Sequence, residues 1–364
     1  MKVSDSVNSA RDRIGSLSGQ ALERLIYVVG SARGGTTLTK NVIGLHDNVV
    51  SFDGPTHFLN HPWQHRRRVE ERLWRVIFWL PVRRDEARDS LSEGRKTAYI
   101  QHINYVLDRK NFRDLYQLYP LVRTLDPEKP HDPATVIAWL DKGNDFWGVD
   151  LLPAHFPEVR FVFVVRDPRG SVASLAKRIA DARPDTELRV EARDVVTSAI
   201  YWRNLVQKEL RFARRYPSQT VFFRYEDLVA SPLTIVPRLY DFLGLPPMSE
   251  EILRSRLEEI HYGASLDDRD LGTGLNRQPF ERWRKVLSDE TADLVAEICG
   301  KTAQRLGYDI APKKQRGLGE IASLMASSSG RLTAAAKLAY LALREIELGT
   351  TAPSFSPFRL LNAA

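Results

Sequence analysis

The chain has 364 residues, a net charge of +7, 43% hydrophobic residues and a single cysteine. That length sustains one large α/β core with appendages, and the charge favours anionic partners such as nucleotides, acidic lipid surfaces and glycans without choosing among them. One cysteine, Cys299, excludes an intrachain disulfide framework, and neither its neighbours nor its helical context lowers its pKa toward a reactive thiolate.

Residues 1–22 are expected to form a flexible arm, whose start, MKVSDSVNSARDRIG, lacks the apolar stretch of a signal peptide. No run along the chain approaches the ~20 apolar residues of a membrane span, so the expectation is a cytoplasmic protein. Leu25 to Val29 is a short apolar run ending at Gly30, which predicts a buried strand followed by a glycine-rich turn and a helix. From about 55 to 135 the pattern turns helical, rich in arginine and aromatics, and predicts an inserted helical subdomain that supplies an acceptor pocket. Within it Leu73 to Val82, LWRVIFWLPV, is flanked by Arg66, Arg67, Arg68, Arg72, Arg83 and Arg84. It is too short to span a bilayer, but residues 66–84 suit peripheral contact with a membrane.

Phe161 to Val165, FVFVV, predicts a second buried strand, and Asp167 with Pro168 gives an N-cap and a proline in the first helical position. Thr220 to Phe223 predicts a third strand, with helices at 232–243 and 288–306. Strands alternating with helices imply a parallel sheet with crossover connections. The expected fold is therefore α/β: a P-loop-like central parallel sheet flanked by helices, carrying the helical insert and a helical C-terminal tail. The main domain is placed at 23–310 and a peripheral tail at 311–364.

Gly30-Ser31-Ala32-Arg33-Gly34-Gly35-Thr36-Thr37, between a strand and a helix, has the form of a phosphate cradle. Glycines let backbone amides turn inward, and the positive end of the following helix attracts an anion. A nucleotide triphosphatase loop would carry a lysine where Thr36 stands; here the cation comes earlier, at Arg33. The alternative is a glycine-rich turn that holds no ligand. Eight residues separate Arg166, at the end of the second strand, from Ser174 in the helix after it. A guanidinium and an early-helix hydroxyl suit a phosphate, although an N-capped helix with a surface ion pair would have the same sequence.

Together these segments resemble the sulfotransferase family, whose members use 3′-phosphoadenosine-5′-phosphosulfate (PAPS). The resemblance runs from about Leu25 to Tyr308. It continues through Arg224-Tyr225-Glu226-Asp227-Leu228, Pro232 and Asp241-Phe242-Leu243-Gly244-Leu245 to Trp283, Leu287 and Leu306-Gly307-Tyr308. The resemblance implies that Arg33, Gly34, Gly35, Thr36 and Thr37 hold the 5′-phosphosulfate and that Arg166 and Ser174 bind the 3′-phosphate. It further implies Arg277 as a third phosphate contact, and Glu226 and Asp227 as braces for a helix. Lys142, in Asp141-Lys142-Gly143-Asn144, resembles the lysine that many carbohydrate- and protein-modifying members place near the transferring sulfuryl group. The alternative for Lys142 is a solvated lysine at a helix end.

Members of this kind carry a general base shortly after the first helix, and the window Ser51 to Phe58 offers Asp53 and His57 but no glutamate. The catalytic set implied is thus Arg33, Lys142 and one of Asp53 or His57, with PAPS as cosubstrate, adenosine 3′,5′-bisphosphate as product and no metal. The Arg33 and Gly-Gly spacing is closer to the carbohydrate- and protein-directed branch, which makes a glycan or glycolipid the expected acceptor. Two rival readings are a P-loop kinase, which the missing lysine opposes, and a basic membrane-surface or nucleic-acid module centred on residues 65–84. Nucleic acid is not an expected partner.

Overall fold

The computed structural model describes residues 19–52, 56, 59, 113, 116–117, 119–120, 123, 132, 134–143, 146, 148–181, 192–260, 275, 282–314, 316, 320 and 359–361. Its strands form a six-stranded sheet in the order β2-β3-β1-β4-β5-β6. Two compact units interleave along the chain: 1–29, 36–162 and 236–275 make the first, and 30–35, 163–235 and 276–364 the second.

In the first unit, helix α1 (Gly19–Glu23) leads into β1 (Leu25–Val29), and α2 (Thr36–Ile43) precedes β2 (Val49–Ser51) and β3 (Ala138–Gly143). Strand β1, LIYVV, is buried at every position, as its unbroken apolar run requires. It pairs parallel with β3, Leu25 opposite Trp139 and Val29 opposite Gly143, and β2 pairs parallel along the other edge of β3. Neither β2 nor β3 is evident from the sequence. Strand β3 reads AWLDKG, and its Asp, Lys and Gly are poor strand formers. Tertiary hydrogen bonds replace what propensity lacks: the buried Asp141 carboxylate accepts from the Thr56 amide (3.0 Å) and the Tyr116 hydroxyl (2.6 Å). Burial, and then the Asp141 charge, push the Tyr116 phenol well above its ordinary pKa, so it stays a donor. The last residues of the expected N-terminal arm belong to α1, where Ala21 is buried and the Leu22 carbonyl accepts from the Trp139 indole N–H at 3.0 Å.

β4 (Arg160–Val165) starts in the first unit and ends in the second. The second unit continues with α4 (Pro168–Asp181), α5 (Ala192–Arg215), β5 (Thr220–Arg224) and α6 (Tyr225–Ala230). Helix α7 (Pro232–Leu243) begins in this unit, α8 (Glu250–Glu258) lies in the first, and α9 (Asp289–Gln304) returns to the second. Helix α9 starts where its sequence says it should: Ser288 accepts from the Thr291 amide at 3.2 Å, and Asp289 and Glu290 occupy the first turn, next to the positive helix end. It packs on α5, with the Cys299 thiol donating to the Ala199 carbonyl at 3.3 Å. Burial pushes that thiol up, which makes it inert as a nucleophile.

Described residues of the C-terminal tail, placed at the periphery, contact this unit. Arg316 is buried and pairs with Asp293 (3.3 Å) and Glu297 (3.2 Å) of α9, and β6 (Arg359–Leu361) pairs parallel with β5. Among the described residues no helix is long and apolar enough to cross a membrane.

One buried group of α5 stores a pH dependence. Glu209 is fully buried, its two carboxyl oxygens meet no hydrogen-bond partner among the described residues, and burial pushes its pKa from 4.5 to about 8. A pKa raised by folding gives stability that is complete below pH 4.5 and is lost as the pH rises through 8. About 3 kcal/mol is therefore gone between pH 4.5 and pH 7, at about 1.4 kcal/mol per pH unit. In urea melts across this range the Glu209→Gln variant should gain on the parent at each step up in pH. Parallel pH profiles for the two proteins would refute the assignment.

Candidate functional site

The loop after β1 folds tightly in the second unit. The Gly34 amide donates to the Ser31 carbonyl at 2.8 Å, and Arg33 has φ of 66°, a left-handed conformation that few residues with a side chain adopt. Gly35 has φ of 102°, and a Cβ there would come within 2.4 Å of the Tyr225 ring. The tyrosine fills the space that the missing side chain leaves. Gly35→Ala meets both a strained φ and this clash, so it should lower the melting temperature by several degrees; an unchanged melting curve would contradict this.

Sequence spacing singled out Arg33, Arg166 and Ser174, and the second unit brings all three together. Arg33 Nε donates to Ser174 Oγ at 2.9 Å, 141 positions away, and Arg166 Nη1 donates to the Arg33 carbonyl at 3.2 Å. The Arg166 guanidinium lies 4.8 Å from the centre of the Tyr225 ring, in a cation–π contact. A Cβ at Gly170, in the first turn of α4, would come within 3.1 Å of Arg166 Nε, so the arginine packs closely on that turn. Tyr225 thus supports both corners, touching Arg166 and closing on Gly35. Its role does not show in the sequence, since only its place after β5 is legible there.

The backbone around Arg166 is held as firmly. Its carbonyl accepts from the Trp202 indole at 3.2 Å, the Asp167 amide donates to Glu226 Oε1 at 3.0 Å, and the Tyr308 hydroxyl lies 2.7 Å from Glu226 Oε2 and 3.0 Å from the Val165 carbonyl. Burial raises the Glu226 pKa, against hydrogen bonds from Tyr308 and Asp167 that lower it, and burial likewise holds the Tyr308 phenol well above its ordinary range. Asp167 caps α4 through the Arg169 amide (2.8 Å) and pairs with the Arg169 guanidinium (2.7 Å), which in turn lies 4.7 Å from the Trp283 ring. Asp227 pairs with Arg224 at 2.8 Å.

In the first unit, Thr36 and Thr37 open α2, and Lys142 Nζ donates to Thr37 Oγ1 at 3.0 Å and approaches Thr36 Oγ1 at 3.5 Å. Lys142 is 5% exposed on β3, not solvated at a helix end. Its neighbour Asp141, which no sequence pattern marks, binds the amide and hydroxyl of Thr56, inside the window that contains Asp53 and His57. Asp53, His57, Arg277 and residues 66–84 lie outside the described residues.

A family model described as the sulfotransferase family matches residues 26–250. The chain belongs to the sulfotransferase family. Among relatives of this sulfotransferase-family chain, human carbohydrate sulfotransferase 3 is 24% identical over 167 residues, covering 42% of this chain and 34% of that protein. A putative protein-tyrosine sulfotransferase of Caenorhabditis elegans is 26% identical over 168 residues, 44% of this chain and 60% of that protein. The matched part thus spans about a third of the first relative and three fifths of the second. The sulfotransferase domain of the Synechococcus PCC 7002 olefin synthase superposes with a TM-score of 0.51 at 17% identity, over 79% of this chain and 95% of that one. That likeness shows the fold, and the α/β sheet expected from the sequence agrees with it.

Proposed function

We propose that the protein transfers the sulfuryl group of PAPS to an acceptor hydroxyl and releases adenosine 3′,5′-bisphosphate. The observation that carries this reading is the convergence of Arg33, Arg166 and Ser174 in one unit. Two guanidiniums and a hydroxyl beside the start of α4 make a donor-rich corner suited to phosphate oxygens. In this assignment Arg166 and Ser174 bind the 3′-phosphate with Arg277 as a further contact, and Arg33, Gly34, Gly35, Thr36 and Thr37 bind the 5′-phosphosulfate.

Transfer is in line. The acceptor oxygen forms a bond to sulfur as the bond between sulfur and the 5′-phosphate oxygen breaks, and the hydroxyl proton passes to Asp53 or His57. Negative charge grows on the departing oxygen, where Arg33 and the buried Lys142 ammonium would stabilise it. The donor requires no redox or metal step in this scheme. The acceptor is a glycan or glycolipid hydroxyl, a choice supported by the Arg33 and Gly-Gly spacing and by the likeness to a protein named as a carbohydrate sulfotransferase.

The test is incubation of the protein with a cell extract and PAPS carrying radiolabelled sulfate. Label in the glycan or glycolipid fraction supports the whole reading, while label on protein tyrosine overturns the acceptor and keeps the transfer. No protein-dependent labelling, together with tighter binding of ATP and magnesium than of the bisphosphate, overturns the reading in favour of a kinase.

A further inference from the structure

Three backbone groups at and beside Arg166 have side-chain partners, and two of those partners are joined to each other. Tyr308 reaches the Val165 carbonyl before the arginine, Glu226 accepts from the Asp167 amide after it, and a 2.7 Å hydrogen bond links Tyr308 to Glu226. Trp202 takes the carbonyl between. The adjacent residue Tyr225 carries the guanidinium on its ring. Side chain and main chain of Arg166 are therefore gripped by two successive residues, Tyr225 and Glu226, and by Tyr308 from a segment 82 positions away.

We infer that Glu226 and Tyr308 are positioning residues that set recognition of the nucleotide's 3′-phosphate by fixing the backbone on both sides of Arg166. The inference rests on the proposed nucleotide reading and deepens it. A guanidinium pairs well with a phosphate only when its fork is aimed, and a strand end is free to pivot unless its peptide groups are tied. One phenol hydrogen cannot serve two acceptors fully. The Tyr308 hydroxyl is shared between the Glu226 carboxylate and the Val165 carbonyl, which ties both to one side chain. Tyr308 is buried and Glu226 partly so, which limits the competition of solvent for these bonds.

The experiment compares calorimetric affinities for adenosine 3′,5′-bisphosphate and adenosine 5′-monophosphate, which lacks the 3′-phosphate, in the full chain and its variants. Tyr308→Phe removes one oxygen and keeps the ring. It should lower the preference for the bisphosphate about 3- to 10-fold, the value of one hydrogen bond, with affinity for the monophosphate unchanged. Glu226→Ala should lower it further, and Glu226→Gln should restore part of the loss, because its amide oxygen still accepts from Asp167. A preference equal to the parent's in Tyr308→Phe and Glu226→Ala overturns the inference, as does an equal loss for both ligands, which marks a general structural role. A parent that binds the two ligands equally overturns the nucleotide reading itself, and the inference with it.

Discussion

Replacing Arg166 by alanine should weaken binding of adenosine 3′,5′-bisphosphate about 30- to 150-fold. The guanidinium offers a phosphate two parallel charge-assisted bonds, and hydrogen bonds to charged groups contribute about 2–3 kcal/mol, which at 1.4 kcal/mol per tenfold gives that range. The fold should tolerate the change. The Arg166 side chain bonds to the Arg33 carbonyl and contacts the Tyr225 ring, among other interactions, while the Trp202 bond to its carbonyl does not depend on the side chain. Arg166→Lys should recover little, because an ammonium lacks the planar fork and sits differently on the tyrosine. Titration calorimetry on melting-matched samples measures this, and an alanine variant with the parent's affinity would remove Arg166 from the site.

The second large effect is at Lys142. Lys142→Met preserves the length of the side chain and removes the charge, and should lower kcat about 100- to 1,000-fold, the loss seen when one preorganised group at a developing charge is taken away. Affinity for the bisphosphate product should fall less than kcat, because the charge that Lys142 is proposed to offset grows on the departing oxygen during the transfer itself. Stability should hold or rise: Lys142 is 5% exposed, and burying a cation on a strand costs more than burying a thioether. A variant with normal kcat would return Lys142 to a structural role through its bond to Thr37.

What was legible in the sequence follows from which interactions are local. The runs LIYVV and RFVFVV announce strands because continuous apolar character has no other use at that length, and both are buried almost throughout. The step from Arg166 to Ser174 was legible for the same reason, since a strand end and the helix after it set the spacing. Strand β3 was not, because its charged residues are made tolerable by Thr56 and Tyr116, 85 and 25 positions away. Tyr225 beneath Arg166, and Tyr308 bonded to Glu226, depend in the same way on pairings that no periodicity records. The family pattern YEDL could be read as a helix brace, yet its Glu226 bonds to the Asp167 amide, 59 positions back, at the end of another strand. The left-handed backbone of Arg33 was also hidden, because a glycine would have signalled it and an arginine does not.

A crystal structure of the protein with adenosine 3′,5′-bisphosphate tests the central claim most directly. The account predicts one nucleotide with its 3′-phosphate on Arg166 and Ser174 and its 5′-phosphate on the loop at Arg33, Gly34 and Gly35. A nucleotide that occupies another surface, or that touches the loop while its 3′-phosphate points into solvent away from Arg166, would contradict it.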